Sequence, residues 1–141
     1  MRFETSTVKP GRDGVCLIVE DSEFDQEKLR RILHQSHQGL RIEVATSLGA
    51  ARRALATGRK ALILLDNNLP DGLGAHFAME LATDKHHAET PVIMVSDWPS
   101  PFMWEKAASA GVLYVVNKAE FDARYVEAAL KQLRGQKRRL S

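Results

Sequence analysis

The sequence predicts an α/β protein, a doubly wound parallel sheet built from five successive βα units. Two observations predict it. Four short runs, Val15-Cys16-Leu17-Ile18-Val19, Leu62-Ile63-Leu64-Leu65, Val92-Ile93-Met94-Val95 and Val112-Leu113-Tyr114-Val115-Val116, are apolar throughout, as strands covered on both faces must be. Between them lie segments with apolar residues at helical spacing, and the connections are too short to hold a further domain.

Each element has its own warrant. Residues 1 to 14 are polar and contain Pro10, Gly11 and Gly14, which reads as a flexible arm. After the first strand, Ser22 offers an N-cap with Asp25 in the first turn, and Leu29, Ile32 and Leu33 carry a helix to about His37. Ile42 and Val44 alternate with Arg41 and Glu43, a strand exposed on one face and suited to an edge. Ser47 caps a helix with Leu48, Ala51, Ala54 and Leu55 inward, and Gly58 stops it. The central strand, 61 to 65, gives way to a turn and then a helix from about Ala75 to Ala82, with Phe77, Ala78 and Leu81 inward. The fourth strand follows Pro91. A proline-broken loop, Asp97-Trp98-Pro99-Ser100-Pro101, precedes a short helix ending at Gly111. The fifth strand reaches Asn117, and a last helix from about Asp122 aligns Val126, Leu130 and Leu133.

A chain of 141 residues suits one domain with a sizeable core, placed at 15 to 133 and followed by a basic tail at 134 to 141. The single cysteine, Cys16, sits inside an apolar strand and reads as a buried hydrophobe in a reducing compartment. A net charge of +2 does not imply nucleic acid, and the tail cations Arg134, Lys137, Arg138 and Arg139 read as a solvated terminus. No stretch approaches the roughly 18 apolar residues of a membrane span, and the first residues lack a signal-peptide core, so the expectation is a cytoplasmic protein.

The carboxyl ends of parallel strands share one edge, where open α/β sheets place their chemistry. Glu20 and Asp21 end the first strand, Asp66 the third, Ser96 the fourth, and Lys118 stands just past the fifth. Three close carboxylates repel one another unless a cation joins them, and a hard divalent ion such as Mg2+ suits oxygen donors. A carboxylate can also attack phosphorus, with magnesium and a lysine neutralising the phosphoryl oxygens and a hydroxyl such as Ser96 bonding to one of them.

In these residues the chain resembles the receiver domains of two-component response regulators. The resemblance spans 15 to 133 and rests on Val19-Glu20-Asp21, Leu65-Asp66-Asn67-Asn68-Leu69-Pro70-Asp71, Pro91-Val92-Ile93-Met94-Val95-Ser96, and Ala110-Gly111 followed by Lys118. The intervals from Asp66 to Ser96 and from Ser96 to Lys118 are also similar to those of the family. It implies a flavodoxin-like (βα)5 fold with strand order 2-1-3-4-5. It implies that Asp66 accepts the phosphoryl group, that Asp21 binds Mg2+ directly, and that Glu20 holds a metal-bound water. The main-chain carbonyl of Asn68 would complete the protein's share of the metal shell, while its side chain would lie over the phosphoryl group. Ser96 would be the switch hydroxyl and Lys118 the phosphate partner. The donor would be a phosphohistidine on a sensor histidine kinase or a phosphotransfer protein. The only catalysis implied is of the domain's own phosphorylation and dephosphorylation.

The chain departs from the family pattern in three places. Asp97 and the bulky Trp98 follow the switch hydroxyl where a small residue is usual, Val115 stands where the switching aromatic would fall, and Ala119 replaces the proline that commonly follows the lysine. With only eight residues after 133, output is expected through a binding partner or onward phosphotransfer. Trp98, Phe102 and Trp104 fall in or beside the broken loop and the short helix; one or two of them suit the core, but three in seven residues are more than that helix's inner face easily absorbs, so an exposed partner surface is the alternative. Two rival readings are a receiver-like interaction module that is not phosphorylated and a magnesium-dependent phosphatase with an aspartyl nucleophile. The latter usually wants a second acid two residues on, where this chain has Asn68. A flavodoxin-type cofactor carrier fits poorly, because Glu20 and Asp21 would repel a phosphate at the first loop. His86-His87 reads as a solvated pair.

Overall fold

The computed structural model describes residues 14 to 36 and 39 to 140, with side chains described as far as residue 132. The predicted arm, apart from Gly14, therefore lies outside the described residues, as do His37 and the side chains of Leu133 and the basic tail.

In chain order the elements are β1 (Val15–Val19), α1 (Glu23–Ser36), β2 (Arg41–Ala45), α2 (Leu48–Ala56), β3 (Leu62–Leu65), β4 (Asn68–Leu69), β5 (Gly72–Leu73), α3 (Gly74–Ala82), β6 (Val92–Ser96), α4 (Pro101–Ser109), β7 (Tyr114–Asn117) and α5 (Ala123–Leu140). Five strands form one parallel sheet in the order β2-β1-β3-β6-β7. Counting only these five, the order is the 2-1-3-4-5 that the family resemblance implies. β4 and β5 form a small antiparallel hairpin of their own, Asn68 opposite Leu73 and Leu69 opposite Gly72. Two-residue strands carry no periodicity, and the sequence shows that stretch only as a turn.

Period-2 alternation along the central strands feeds two cores. Leu17, Val19, Ile63, Leu65 and Met94 meet Leu48, Ala51 and Leu55 of α2, Phe77, Ala78 and Leu81 of α3, and Met103 and Ala107 of α4. On the other face Cys16, Ile18, Leu62, Leu64, Ile93, Val95 and Val116 meet Leu29 and Leu33 of α1 and Val126, Ala129 and Leu130 of α5. Fully burying a side chain of the size of Phe77 or Leu64 contributes roughly 1.5–3 kcal/mol, so these two layers hold the sheet edge rigid. Cys16 is wholly buried, and burial pushes its thiol pKa far above the usual value.

The helix ends follow local chemistry. The Ser22 and Ser47 hydroxyls accept from Asp25 N and Ala50 N, as their cap positions predict. α4 begins earlier than the broken-loop reading expects. Ser100 is its N-cap and Pro101 its first residue, so the proline opens the helix instead of excluding it. It ends in a Schellman turn, with Gly111 at φ +73°, Gly111 N donating to Ala108 O and Val112 N to Ala107 O. Val112 belongs to this return, whereas Leu113 N already donates to Val92 O of β6 at 2.9 Å, and β7 itself begins at Tyr114. The backbone of α5 continues as helix to Leu140, through the span read as tail.

Candidate functional site

Register brings the polar strand ends together. Val19 pairs with Leu65, so the next residues along, Glu20 and Asp66, stand side by side. Leu65 pairs with Met94, which sets Ser96 just beyond Asp66 on β6, and Ser96 pairs with Asn117, so Lys118 follows on β7. Main-chain bonds carry the alignment past the strands: Glu20 N donates to Ala45 O, Asp66 N to Val19 O and Lys118 N to Ser96 O, each at 3.0 Å.

Carboxylate oxygens of Glu20, Asp21 and Asp66 lie within 4.8 Å of one another. Glu20 and Asp66 are buried and Asp21 is exposed. Burial raises the pKa of Asp66 to about 6, the nearby Glu20 charge adding to the rise and Lys118 with the Asn67 amide opposing it. Glu20 is raised too, first by burial, against the pull of Lys118 and the Ser22 amide. Its Oε2 accepts from Ser22 N at 3.0 Å, and its main-chain carbonyl accepts from Gln26 Nε2 at 2.8 Å.

Lys118 is the counter-charge. Its Nζ lies 2.8 Å from Glu20 Oε1, 2.9 Å from Asp25 Oδ2, 3.7 Å from Asp66 Oδ1 and 3.9 Å from Asp97 Oδ2. The contact with Glu20 is close but not aligned as a hydrogen bond, whereas Nζ donates to Asp25 in good geometry. These acids hold the ammonium charged, its pKa raised above the ordinary lysine value against the cost of burial. Asp25 and Asp97 are not legible as partners of Lys118, because their proximity depends on how α1 and the β6–α4 loop meet at the sheet edge, into which the lysine reaches from the end of β7.

Ser96 is buried, and its Oγ has no hydrogen-bond partner among the described residues. Such an orphan costs about 1–3 kcal/mol. A hydroxyl at that position can bond to a group that enters the site.

The turn after Asp66 is tied down at several points. Asn67 N donates to Asp66 Oδ1, Gly74 N to Asn67 O and Ala75 N to Asn67 Oδ1. A Cβ on Gly74 would run into the main-chain carbonyl of Asp66, so α3 can start there only with glycine. Asp71, at the tip of the β4–β5 hairpin, accepts from Leu48 N at 2.8 Å and Gly49 N at 2.9 Å, and those amides hold its pKa below the usual carboxylate range. Asn68 opens that hairpin and is exposed.

Trp98, in the loop before α4, is 85% exposed, and Phe102 and Trp104 on α4 are 59% and 51% exposed, while Met103 of that helix is buried. The core reading of one or two of these aromatics is thus excluded, and the core positions of α4 belong to Met103 and Ala107. Val115 packs toward the α2–α3–α4 face and Tyr114 toward the opposite one, edge to face with Tyr125 at 5.4 Å. Among the described residues no helix is long and apolar enough to cross a membrane.

A parallel five-stranded sheet with clustered acids, a lysine and a hydroxyl at its carboxyl edge is the arrangement that the resemblance to receiver domains implies. Residues 16–131 match the response regulator receiver domain, and the chain belongs to that family. A CheY-like response regulator receiver domain protein from Methanospirillum hungatei JF-1 is 23% identical, with 89% of this chain and 98% of that one covered and a TM-score of 0.75. The signal receiver domain of a signal transduction histidine kinase from Syntrophus aciditrophicus is 26% identical, with 85% and 89% covered and a TM-score of 0.71. That of an HD domain-containing protein from Pseudomonas fluorescens Pf-5 is 19% identical, with 89% and 97% covered and a TM-score of 0.75. No curated protein matches the chain. Members of the family are phosphoacceptor signalling domains, receive the phosphoryl group from histidine kinases or phosphotransfer proteins, and bind Mg2+ at an acidic pocket.

Proposed function

We propose that the protein is a single-domain response regulator, with Asp66 as the phosphoacceptor. An Asp66 carboxylate oxygen attacks the phosphorus of a phosphohistidine on a sensor kinase or phosphotransfer protein. The O–P bond forms as the P–N bond breaks, and the electron pair stays with the imidazole nitrogen. Lys118 takes one phosphoryl oxygen, and the Ser96 hydroxyl donates to another. The observation that carries the reading is the orphaned Ser96 Oγ at the same edge as an acid and an ammonium 3.7 Å apart.

The donor set of Glu20, Asp21 and Asp66 fits a hard divalent cation. Mg2+ would be held by Asp21, Asp66 and the main-chain carbonyl of Asn68, with Glu20 acting through water. When bound it supplies positive charge against the phosphoryl oxygens. Asn68 would also tune hydrolysis, and its amide cannot give and regain a proton as a phosphatase acid would. The 85% exposure of Trp98 argues against its ring closing the site, which disfavours the unphosphorylated interaction module. We further propose cytoplasmic signalling by partner binding through Trp98, Phe102 and Trp104, or by onward phosphotransfer.

Intact mass after incubation with a small phosphodonor and Mg2+ tests the core of this. One phosphoryl group is expected on the wild type and none on Asp66→Asn or on a chelated sample. Equal labelling of all three would end it.

A further inference from the structure

Lys118 has more acidic neighbours than its proposed task uses. Its ammonium has three donors, while Glu20, Asp25, Asp66 and Asp97 all lie within 3.9 Å. Of the three nearest acids, the phosphoacceptor is the most distant. The ammonium is drawn away from Asp66, toward α1.

We propose that Asp25 is a positioning residue, which holds Lys118 toward α1 while Asp66 is unmodified and yields it when a phosphoryl group arrives. This rests on the phosphoacceptor reading of Asp66. The main chain of Lys118 is fixed on both sides: its N donates to Ser96 O at 3.0 Å, and its O accepts from Lys28 Nζ at 2.7 Å. Lys28 lies one turn beyond Asp25 on the same helix. The transfer must therefore come from side-chain torsions and not from movement of the strand.

Burial decides which acid gives way. A phosphoryl group brings roughly 1.5–2 negative charges, enough to claim one of the three donors. The Glu20 side chain is 1% exposed, and leaving it uncompensated would strand a buried charge. The Asp25 side chain is 21% exposed, so water can replace its partner. Asp97, 61% exposed and 3.9 Å away, holds the lysine weakly from the start.

The test is affinity for beryllofluoride, a phosphoryl mimic, in Mg2+, read from the Asn67 amide resonance. Asp25→Asn should tighten binding about tenfold, a gain of ~1.4 kcal/mol. Asp97→Asn, which removes the same charge, should stay within about twofold. In a Lys118→Ala background the gain from Asp25→Asn should vanish. An unchanged affinity on Asp25→Asn, or an equal gain with and without Lys118, would overturn the proposal, the latter showing a simple charge effect. In the wild-type complex the Asp25–Lys118 contact should open beyond about 4 Å; a retained contact also overturns it. Failure of the underlying reading looks different, since Asp66 would then take no label from a phosphodonor.

Discussion

Asp66 is costly to the metal-free protein. In the unfolded chain its carboxyl loses its proton near 3.8, and in the fold near 6. Between those values the folded state keeps a proton that the unfolded state has released, so stability falls as pH rises through the window and stays lower above it. Glu20, raised in the same direction, adds to the loss. With a chelator present, Asp66→Asn should be more stable than wild type by on the order of 2 kcal/mol at pH 7, and the advantage should shrink toward pH 4. Denaturant melts across that range would show it, and a gain independent of pH would contradict it. Glu20, Asp21, Asp66, Ser96 and Lys118 were legible in the sequence because each ends or follows an apolar run, and a parallel sheet sends all such ends to one edge. Asp25 was legible only as a first-turn acid. Its bond to Lys118 spans 93 residues and depends on the lysine, which follows β7, reaching back across the sheet edge to α1, which no local pattern encodes.

At the level of elements, the sequence is most readable where periodicity is strong and least where backbone meets backbone. The five sheet strands and five helices follow from apolar runs and caps. The β4–β5 hairpin and the need for Gly74 do not, since one is too short to repeat and the other is a contact through space. The early start of α4 had a signal in Ser100-Pro101, a cap followed by proline, that the neighbouring Pro99 obscured. Gly74 sets where α3 may begin, and with it the approach to the carbonyl of Asp66. Gly74→Ala should cost about 1–3 kcal/mol through this overlap and shift the Asp66 and Asn67 amide resonances. A variant as stable as wild type, with those resonances unmoved, would mean that α3 can back away freely.

Across the whole molecule, the two cores divide the helices unequally, with α1 and α5 on one face and α2, α3 and α4 on the other. Lys118 belongs to the first group through α1, whereas the β6–α4 loop carries Asp97 and Trp98 toward the second. Asn117 spans the two, donating from Nδ2 to Asp97 O at 3.0 Å and accepting from Ala119 N at 2.8 Å. Val115 has no ring to swing, so a response should leave through residues 96 to 106 and not through Tyr114, which is already packed on Tyr125. Adding beryllofluoride should move the amide resonances of 96 to 106 most. A quiet loop beside a rearranged Tyr114 would refute this route. The order of the chain has one more consequence, felt while the protein is being made. Glu20 and Asp66 leave the ribosome well before Lys118, so any sheet that formed on the nascent chain would hold its acids without their ammonium. Until the last strand emerges, protons or dissolved cations would have to quiet that repulsion, so the newborn chain needs a counter-charge before it has one of its own.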